Sequence, residues 1–359
     1  MDVKQECIVT ITDGLSPTSM PLNEFVNYRL SHRKEEKQIL IQVFEKGIDK
    51  NIELSENIEF YSVGKNFYKL RKIIQKISKE YHIKAFHIHE GKSVILFSAA
   101  TLLSNRSKTI YTIHSTYKNY PLHNKIFCLI SSLLAKKVTC VSNTSYKYYP
   151  KLLKRIRGKN IISLQNGVDM ERVDSVKIDC KKKNPNFTLT YVARLVQLKR
   201  HTLLFDIIAK VPDAHLDLIG IGPLEENLKQ YAGDLGIADR VHFLGLQPRE
   251  EVYRRLKTTD MYVSTSSYEG LPIGVLEALA CGVVSVVTNI EQHEEIRVKC
   301  SSLITLPPNV DIWKDKLLDL MNTKQSILDK IGAQGKEQVE KYFSLSSMHN
   351  NYDQLYMSL

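Results

Sequence analysis

The sequence alternates short strand-like segments with segments of helical length, and it does so in two successive halves. The first half has strand-like runs at residues 7–12, 39–44, 85–88, 109–113 and 138–141. The second half has them at residues 187–192, 215–219, 241–244, 261–264, 283–287 and 303–306. Because strands that alternate with helices join in one direction through crossover helices, the pattern predicts two α/β domains, each built on a parallel sheet.

The length of 359 residues agrees with two domains. We predict an N-terminal domain over 1–168, a linker over 169–186, which contains a polar Lys- and Asn-rich stretch, and a C-terminal domain over 187–340. A last helix over 341–359 would return to cover the first domain. Two Rossmann-like domains facing each other across a cleft would place helix N-termini and strand ends on both of its walls.

Charge is unevenly distributed along the chain. Residues 1–170 carry 27 Lys and Arg against 14 Asp and Glu, whereas residues 171–359 carry 23 against 25. Between Glu90 and Asp169 there is no acidic residue, but there are thirteen basic ones. We therefore expect the first domain to be attracted to an anionic partner.

Other features of the composition exclude several classes. The six cysteines form no Cys-x-x-Cys pair, so neither a zinc site nor a disulfide framework is indicated, and a reducing cytosol fits best. The polar N-terminus is unlike a signal peptide. The longest apolar run, 126–135, is about half of the roughly twenty residues that a membrane span needs.

The segment 264–282 predicts a strand, a loop and a helix that begins near Pro272. Such a junction points backbone N–H groups and a helix dipole at the loop, which suits an anionic ligand. Glu269 lies in the loop and Glu277 in the second helical turn. Eight helical residues span ~12 Å, more than the ~5 Å of a retaining glycosidase dyad, so the pair is better suited to holding two parts of one ligand. Two solvated carboxylates are the alternative interpretation.

Two other loops follow predicted strands of the second domain. Arg194 and Lys199 come after the strand 187–192, where two cations can hold a diphosphate. Gly220 and Gly222 come after the strand 215–219, but the third glycine of a dinucleotide fingerprint is missing. Each motif has an ordinary alternative, namely surface cations and a tight turn.

Histidines end two strands of the first domain. His87 and His89 share one face of a predicted strand, but without carboxylate or cysteine partners at ligand spacing they favour a structural role over zinc. His114 ends its strand and is therefore a candidate for substrate contact. The chain has no Asp-x-Asp motif that could hold a metal ion. We therefore expect the negative charge of a leaving group to be stabilised by Arg194, Lys199 and helix N-termini rather than by a metal.

Tyr146, Tyr148 and Tyr149 are interleaved with cations at the start of the basic segment 147–159. This pattern also occurs in nucleic-acid-binding segments. No nucleic-acid-binding fold is indicated, so an anionic membrane surface or a lipid-phosphate acceptor is preferred.

Taken together, these motifs resemble the retaining GT-B glycosyltransferases of glycosyltransferase family 4. The resemblance extends over most of the second half, through 194–199, 220–223, 241–245 and 268–282, and more faintly over 165–169 and His114. It implies transfer of a hexosyl-type sugar from a UDP- or GDP-type donor, with retention and without a metal or other cofactor.

The resemblance also implies roles for individual residues. Glu277 would bind the nucleotide ribose, and Glu269 would hold sugar hydroxyls and steady the oxocarbenium-like state. Arg194 and Lys199 would neutralise the diphosphate, and His114 would lie beside the donor sugar. Residues of the matching segments would complete the donor site, namely Gly222, Gly270 and Leu271.

One loop departs from the family pattern. The family has a Gly-Gly pair in its first loop, whereas here 12–21 contains the single Gly14, which would take part of that role. We expect a cytoplasmic enzyme, peripheral at the inner face of the plasma membrane, that builds a polysaccharide or lipopolysaccharide on a lipid-linked or cell-surface acceptor. The rival hypotheses are a GT-B epimerase or phosphorylase, and a non-catalytic basic module that binds anionic lipid or nucleic acid.

Overall fold

The computed structural model describes residues 4–15, 26–29, 32–45, 57–178 and 186–359. The chain forms two compact units. The first comprises Met1–Asn166 together with Leu345–Leu359, and the second comprises Gly167–Ser344.

The first unit contains a seven-stranded sheet of order β3-β2-β1-β4-β5-β6-β7, in which each pair of neighbours is parallel. Its strands are rich in β-branched residues and are buried on both faces at the centre, as expected for a parallel sheet. They are β1 Glu6–Thr12, β2 Lys37–Gln42, β3 Glu59–Ser62, β4 His82–Ile88, β5 Thr109–Ile113, β6 Lys137–Cys140 and β7 Ile161–Ser163. The helices are α1 Phe67–Glu80, α2 Gly91–Ala100, α3 Leu122–Leu134, α4 Asn143–Lys147 and α5 Lys151–Arg157.

The last helix of the chain, Leu345–Met357, packs on this first sheet. Tyr352 and Tyr356 are buried there, and the Tyr356 hydroxyl lies 2.8 Å from Nδ1 of His87 on β4. Asp353 accepts hydrogen bonds of 2.8 Å from Arg29 and from Arg33. The end of the chain is thus part of the core of the first unit.

The second unit contains a six-stranded sheet of order β10-β9-β8-β11-β12-β13, again with parallel neighbours. Its strands are β8 Phe187–Val192, β9 Ala214–Ile219, β10 Val241–Phe243, β11 Met261–Ser264, β12 Ser285–Thr288 and β13 Ile304–Leu306. Its helices are α6 Met170–Ser175, α7 His201–Ala209, α8 Glu225–Asp234, α9 Arg249–Thr258, α10 Ile273–Ala280, α11 Glu291–Arg297, α12 Val310–Met321 and α13 Gln325–Phe343, so the last helix, Leu345–Met357, is α14.

The prediction of two parallel-sheet α/β domains is confirmed, with differences in detail. The edge strands β3 and β7 lack a long apolar run, and the sequence analysis did not identify them. Within the expected linker, α6 is helical, begins with Asp169 as its N-cap and buries Val173 in the second core. The Lys- and Asn-rich part of that linker, 179–185, lies outside the described residues.

Among the helices that the structure describes, we find none that is both long enough and apolar enough to cross a membrane.

We predict that Asp353→Ala weakens the attachment of α14. Arg29 is 1% exposed and pairs with Asp353 and with Glu36, so the substitution leaves a buried guanidinium with one carboxylate fewer. Urea unfolding is expected to show a loss of about 1–3 kcal/mol. The control Asp319→Ala, which breaks the exposed pair with Lys316, should change stability by less than about 0.5 kcal/mol. Equal effects of the two substitutions would contradict the assignment.

Candidate active site

Four neighbouring strands of the second sheet deliver the candidate residues to one edge. Strands β9, β8, β11 and β12 are adjacent in the sheet, and all of them point the same way. Because they are parallel, the loops that follow them meet at their carboxyl ends. These loops carry Gly222, Lys199, Glu269 and, at the start of α11, His293.

Lys199 and Glu269 form an ion pair at this edge. Lys199 Nζ lies 2.5 Å from Glu269 Oε1, and the two side chains are only 16% and 12% exposed. The two loops are also joined through their backbones, since the amide of Ser267 donates to the carbonyl of Leu198 at 2.8 Å. Tyr191 from β8 donates its hydroxyl to the carbonyl of Lys199 at 3.1 Å. The pair is therefore held by a rigid frame.

The electrostatics of this pair keep both groups charged. Burial raises the pKa of the Glu269 carboxyl, but the charge and the hydrogen bond of Lys199 outweigh that effect and hold it below its usual value. Burial lowers the pKa of Lys199, and the charge of Glu269 more than reverses this, so the pKa is raised. At neutral pH the site thus offers one fixed carboxylate and one fixed ammonium group.

Arg194 brings a second cation to the same edge. Its side chain is exposed and makes no ion pair with any residue that the structure describes. Its positive charge acts on Lys199 and lowers the pKa of that amine slightly against the larger effect of Glu269. An unpaired guanidinium beside a paired ammonium group is suited to an anion that enters from solvent.

The glycine loop packs directly against the backbone that carries Arg194. A Cβ atom on Gly222 would lie 2.7 Å from the carbonyl carbon of Leu195, and one on Gly220 would lie 2.8 Å from that of Ala193. Gly220 also has φ +142°, a conformation that favours glycine. The two glycines therefore permit a backbone contact that side chains would prevent.

Glu277 lies inside the second unit rather than on its surface. It is 1% exposed on α10, the helix that Pro272 precedes, and it forms an ion pair with Arg249 of α9. The Tyr253 hydroxyl donates to it at 3.3 Å. The two loop residues before Pro272 differ, because Leu271 is buried while Gly270 is partly exposed.

Four residues around these two glutamates were not predicted from the sequence. Arg249 and Tyr253 hold Glu277, Ser266 donates a hydrogen bond to Glu269, and the buried His293 interacts electrostatically with Glu269. Burial lowers the pKa of His293 to about 4, so its ring is neutral at pH 7, and its Nδ1 lies 2.6 Å from the carbonyl oxygen of Thr288. Arg249 follows the short strand β10, and this position after a strand is the sequence feature that could have identified it as a site residue.

His114 belongs to the first unit, where it follows β5. Its Nε2 lies 2.9 Å from Nδ1 of His89, at the end of the neighbouring strand β4. Burial lowers the pKa of His114 to about 4, and burial together with the adjacent His87 lowers that of His89 as well. Both rings are neutral at pH 7, so one N–H donates to the other ring's lone pair.

Gly14 follows β1, which neighbours β4 on its other side. A Cβ atom on Gly14 would collide with the Glu45 carboxyl group. Beside it, Glu90 accepts a 2.9 Å hydrogen bond from the amide of Asp13, and Asp13 accepts one of 2.7 Å from Ser93. Burial and the nearby Asp13 raise the pKa of Glu90 to about 8. The residues of the first loop after 15 that the sequence analysis considered lie outside the described ones.

Within the described residues, no three His, Cys, Asp or Glu side chains are grouped so that they could hold a metal ion. The expectation of a metal-independent reaction stays a prediction. What the second unit does provide is a pair of cations, a fixed carboxylate and a close backbone turn at one sheet edge.

The two units match two family models. Residues 175–338 match the model described as "Glycosyl transferases group 1", and residues 47–172 match "Glycosyltransferase Family 4". The chain is 28% identical over 258 residues to UDP-Gal:alpha-D-GlcNAc-diphosphoundecaprenol alpha-1,3-galactosyltransferase of Escherichia coli, covering 66% of this chain and 65% of that protein. It is 29% identical over 287 residues to the O-antigen biosynthesis glycosyltransferase WbnH of the same species, covering 77% and 78%.

Solved structures show the same fold. A glycosyltransferase from Rickettsia africae superposes with a TM-score of 0.80 at 18% identity, covering 99% of this chain and 98% of that one. The Anabaena protein HepE, in complex with UDP and glucose, superposes with a TM-score of 0.76 at 17% identity, covering 98% and 100%. The fold is that of the GT-B class. The chain belongs to the GT-B glycosyltransferases of the family 4 type.

We predict that Gly222→Ala disturbs the site while Gly233→Ala does not. The new methyl group at 222 must displace the backbone of Leu195, which is adjacent to Arg194, whereas a Cβ at 233 has no neighbour within 4 Å. Gly222→Ala should cost about 1–3 kcal/mol of unfolding free energy, and Gly233→Ala, near the end of α8, should be neutral or slightly stabilising. Chemical denaturation of the two variants checks this. The assignment would be wrong if both behaved alike.

We also predict that Arg249 and Glu277 are strongly coupled. Arg249→Met would leave Glu277 charged and buried without its main partner, at a cost of about 3–5 kcal/mol. The double variant with Glu277→Gln removes both charges and should cost less than the sum of the two single substitutions. Denaturation of the four proteins in a double-mutant cycle measures the coupling. Additive effects would show that the ion pair does not hold Glu277.

Proposed function

We propose that this chain is a retaining glycosyltransferase that transfers a sugar from a nucleoside-diphosphate sugar to a hydroxyl group of a lipid-linked or cell-surface glycan. The observation that carries this proposal is the Lys199–Glu269 pair, held with Arg194 at the carboxyl edge of the second sheet. The site combines groups for a diphosphate with a group for sugar hydroxyls.

The cations of this edge would bind the diphosphate. Arg194 is exposed and has a planar fork of donors that matches two phosphate oxygens. Lys199 already neutralises Glu269, so its remaining N–H donors are available to a phosphate oxygen without leaving the carboxylate. As the bond to the sugar breaks, the negative charge that develops on the diphosphate would be stabilised by groups that are already in place.

Glu269 would act on the sugar. Because Lys199 holds the carboxylate in its ionised form, Glu269 can accept hydrogen bonds from sugar hydroxyls and can stabilise positive charge near the anomeric carbon. Glu277, in the second turn of α10 and fixed by Arg249 and Tyr253, would supply the ribose contact that the family resemblance implies, through a carboxylate oxygen. In the first unit, His114 would lie beside the donor sugar and Gly14 would take part of the role of the family's Gly-Gly pair, as the resemblance implies.

Retention requires attack on the face from which the leaving group departs. In the proposed step the bond between the anomeric carbon and the diphosphate oxygen breaks, and the acceptor oxygen forms a bond to the same carbon. The proton of the acceptor hydroxyl passes to the departing phosphate oxygen. The products are a nucleoside diphosphate and the extended glycan, and no metal ion is required.

The proposed substrates follow the printed names of the relatives. One relative uses UDP-galactose and a diphosphoundecaprenol acceptor, and another acts in O-antigen biosynthesis. The chain spans 65% of the length of the former, so both substrates are proposals here. A donor of the UDP type and a lipid-linked acceptor would place the enzyme at the cytoplasmic face of a membrane.

The test is a transfer assay with a panel of UDP- and GDP-sugars and a synthetic lipid-diphosphate sugar acceptor, with product anomers assigned by NMR. Glu269→Gln should lower kcat by about 10²- to 10³-fold, because it removes charge at the developing cation. Arg194→Ala should mainly raise the donor KM and should reduce the thermal shift that UDP produces. Transfer should persist in EDTA.

Arg254→Ala is the matched control, since Arg254 is another exposed arginine of the second unit, and its ion pair within the described residues is with its helical neighbour Glu251. It should behave as the unaltered protein. An inverted product, loss of transfer in EDTA, or full activity of Glu269→Gln would overturn the corresponding part of the proposal.

A further inference from the structure

Helix α3 of the first unit has an unusual distribution of side chains. Its fully buried positions are Cys128, Ser131 and Ser132, whereas the large apolar side chains on its opposite face are in solvent. Leu129 and Leu134 pack against the first core, so α3 is apolar on its exposed side as well as on its packed side. An ordinary surface helix exposes a polar face instead. The side chains of this exposed stripe are Leu122, Ile126, Ile130 and Leu133, at 75%, 48%, 42% and 48% exposure.

The stripe is continuous along the helix. Its members are four, four and three residues apart, which is the spacing that places side chains on one face. The loop before β5 adds two more exposed leucines, Leu102 and Leu103, at 69% and 50%. Arg106 of that loop donates to the carbonyl of Leu133 at 3.0 Å, so the loop is attached to the C-terminal end of α3.

The short helix α5 meets the same end of α3. Arg157 donates to the carbonyl of Lys136 at 2.7 Å. Helix α5 exposes Leu152 and Ile156, which are one turn apart, at 69% and 62%. Helix α3, the loop 102–106 and helix α5 therefore come together near the C-terminal end of α3, each with exposed apolar side chains, which we together call the apolar surface.

All formal side-chain charges of this part of the chain are positive. Residues 91–168 contain thirteen Lys and Arg and no Asp or Glu. Several of the lysines lie against tyrosine rings, with Lys118 Nζ 3.8 Å from the ring centre of Tyr148 and Lys154 Nζ 5.0 Å from that of Tyr146. Lysine and tyrosine share an apolar body and a polar tip, which suits the boundary between lipid chains and headgroups.

We propose that the apolar surface docks on an anionic lipid bilayer, with α3 lying in the plane of the headgroups. The exposed apolar stripe supplies the part that enters the acyl boundary, and the thirteen Lys and Arg of residues 91–168 supply the attraction to anionic headgroups. Neither feature alone selects a bilayer. A protein partner or a second copy would explain the stripe, and a nucleic acid would explain the charge, but the combination is that of an interfacial helix.

This inference deepens the proposed function, because a lipid-linked acceptor is reached at a bilayer, but the docking is tested without sugar transfer. The experiment is co-sedimentation of the full chain with vesicles of phosphatidylglycerol and phosphatidylethanolamine, and with vesicles of phosphatidylcholine alone. The unaltered protein should bind the anionic vesicles at least about tenfold more strongly, and added salt should weaken that binding.

The deciding variant is Ile126→Ser with Ile130→Ser. Both side chains are about half exposed and neither belongs to the buried core, so the variant should fold, and it should lower the vesicle partition coefficient by about tenfold or more. The matched control is Val298→Ser with Ile312→Ser, which removes two exposed apolar side chains, 82% and 44% exposed, from the second unit. It should bind vesicles as the unaltered protein does.

The thermal shift that UDP produces is measured on the same proteins. It should be equal in all of them, so that loss of docking and loss of donor binding are distinguished. Absence of binding to anionic vesicles would overturn the inference, as would equal binding by the Ile126→Ser, Ile130→Ser variant and the control. It would also be overturned if the unaltered protein were a dimer that this variant dissociates, or if it bound nucleic acid but not vesicles.

Discussion

The structure depends on one constraint, the parallel direction of the strands. In both sheets every described pairing is parallel, so the chain must leave each strand at the same edge and return through a helix. Residues that are distant in sequence are therefore brought together where strands end. Lys199 and Glu269 are seventy residues apart and meet because β8 and β11 are neighbours. His89 and His114 meet because β4 and β5 are neighbours.

This constraint explains why much of the fold could be predicted from sequence. Long apolar runs such as 109–113, 187–192 and 261–264 are buried on both faces, and the structure has strands at these bounds. The edge strands β3 and β7 were missed because most of their residues are only partly buried, so their sequences have no strong apolar pattern. A strand that depends on pairing with one neighbour is specified mainly by that neighbour.

For the candidate site, the sequence predicted the positions of several residues but not their contacts. Position after a strand identified Arg194, Lys199, Gly222 and Glu269, but sequence spacing could not show what each side chain contacts. From the sequence, Glu277 is a charged residue of a helix and is expected to be exposed. In the structure its side chain is 1% exposed and pairs with Arg249. Arg249 lies 28 positions earlier on another helix, so its partner becomes evident only from the packing of α9 on α10. Ion pairs between different helices or strands depend on tertiary packing and are not visible in the sequence alone.

The electrostatic design differs between the two glutamates of the second unit. Each buried carboxylate needs a cation, because an unpaired charge in a protein interior would be neutralised by protonation. Glu277 has an arginine, Arg249, which holds it together with the Tyr253 hydroxyl. Glu269 has a lysine, whose ammonium group has three donors and can serve a carboxylate and an incoming anion together. Two buried carboxylates of a single strand-loop-helix segment are thus held by different cations, Glu277 by a guanidinium and Glu269 by an ammonium group that retains further N–H donors.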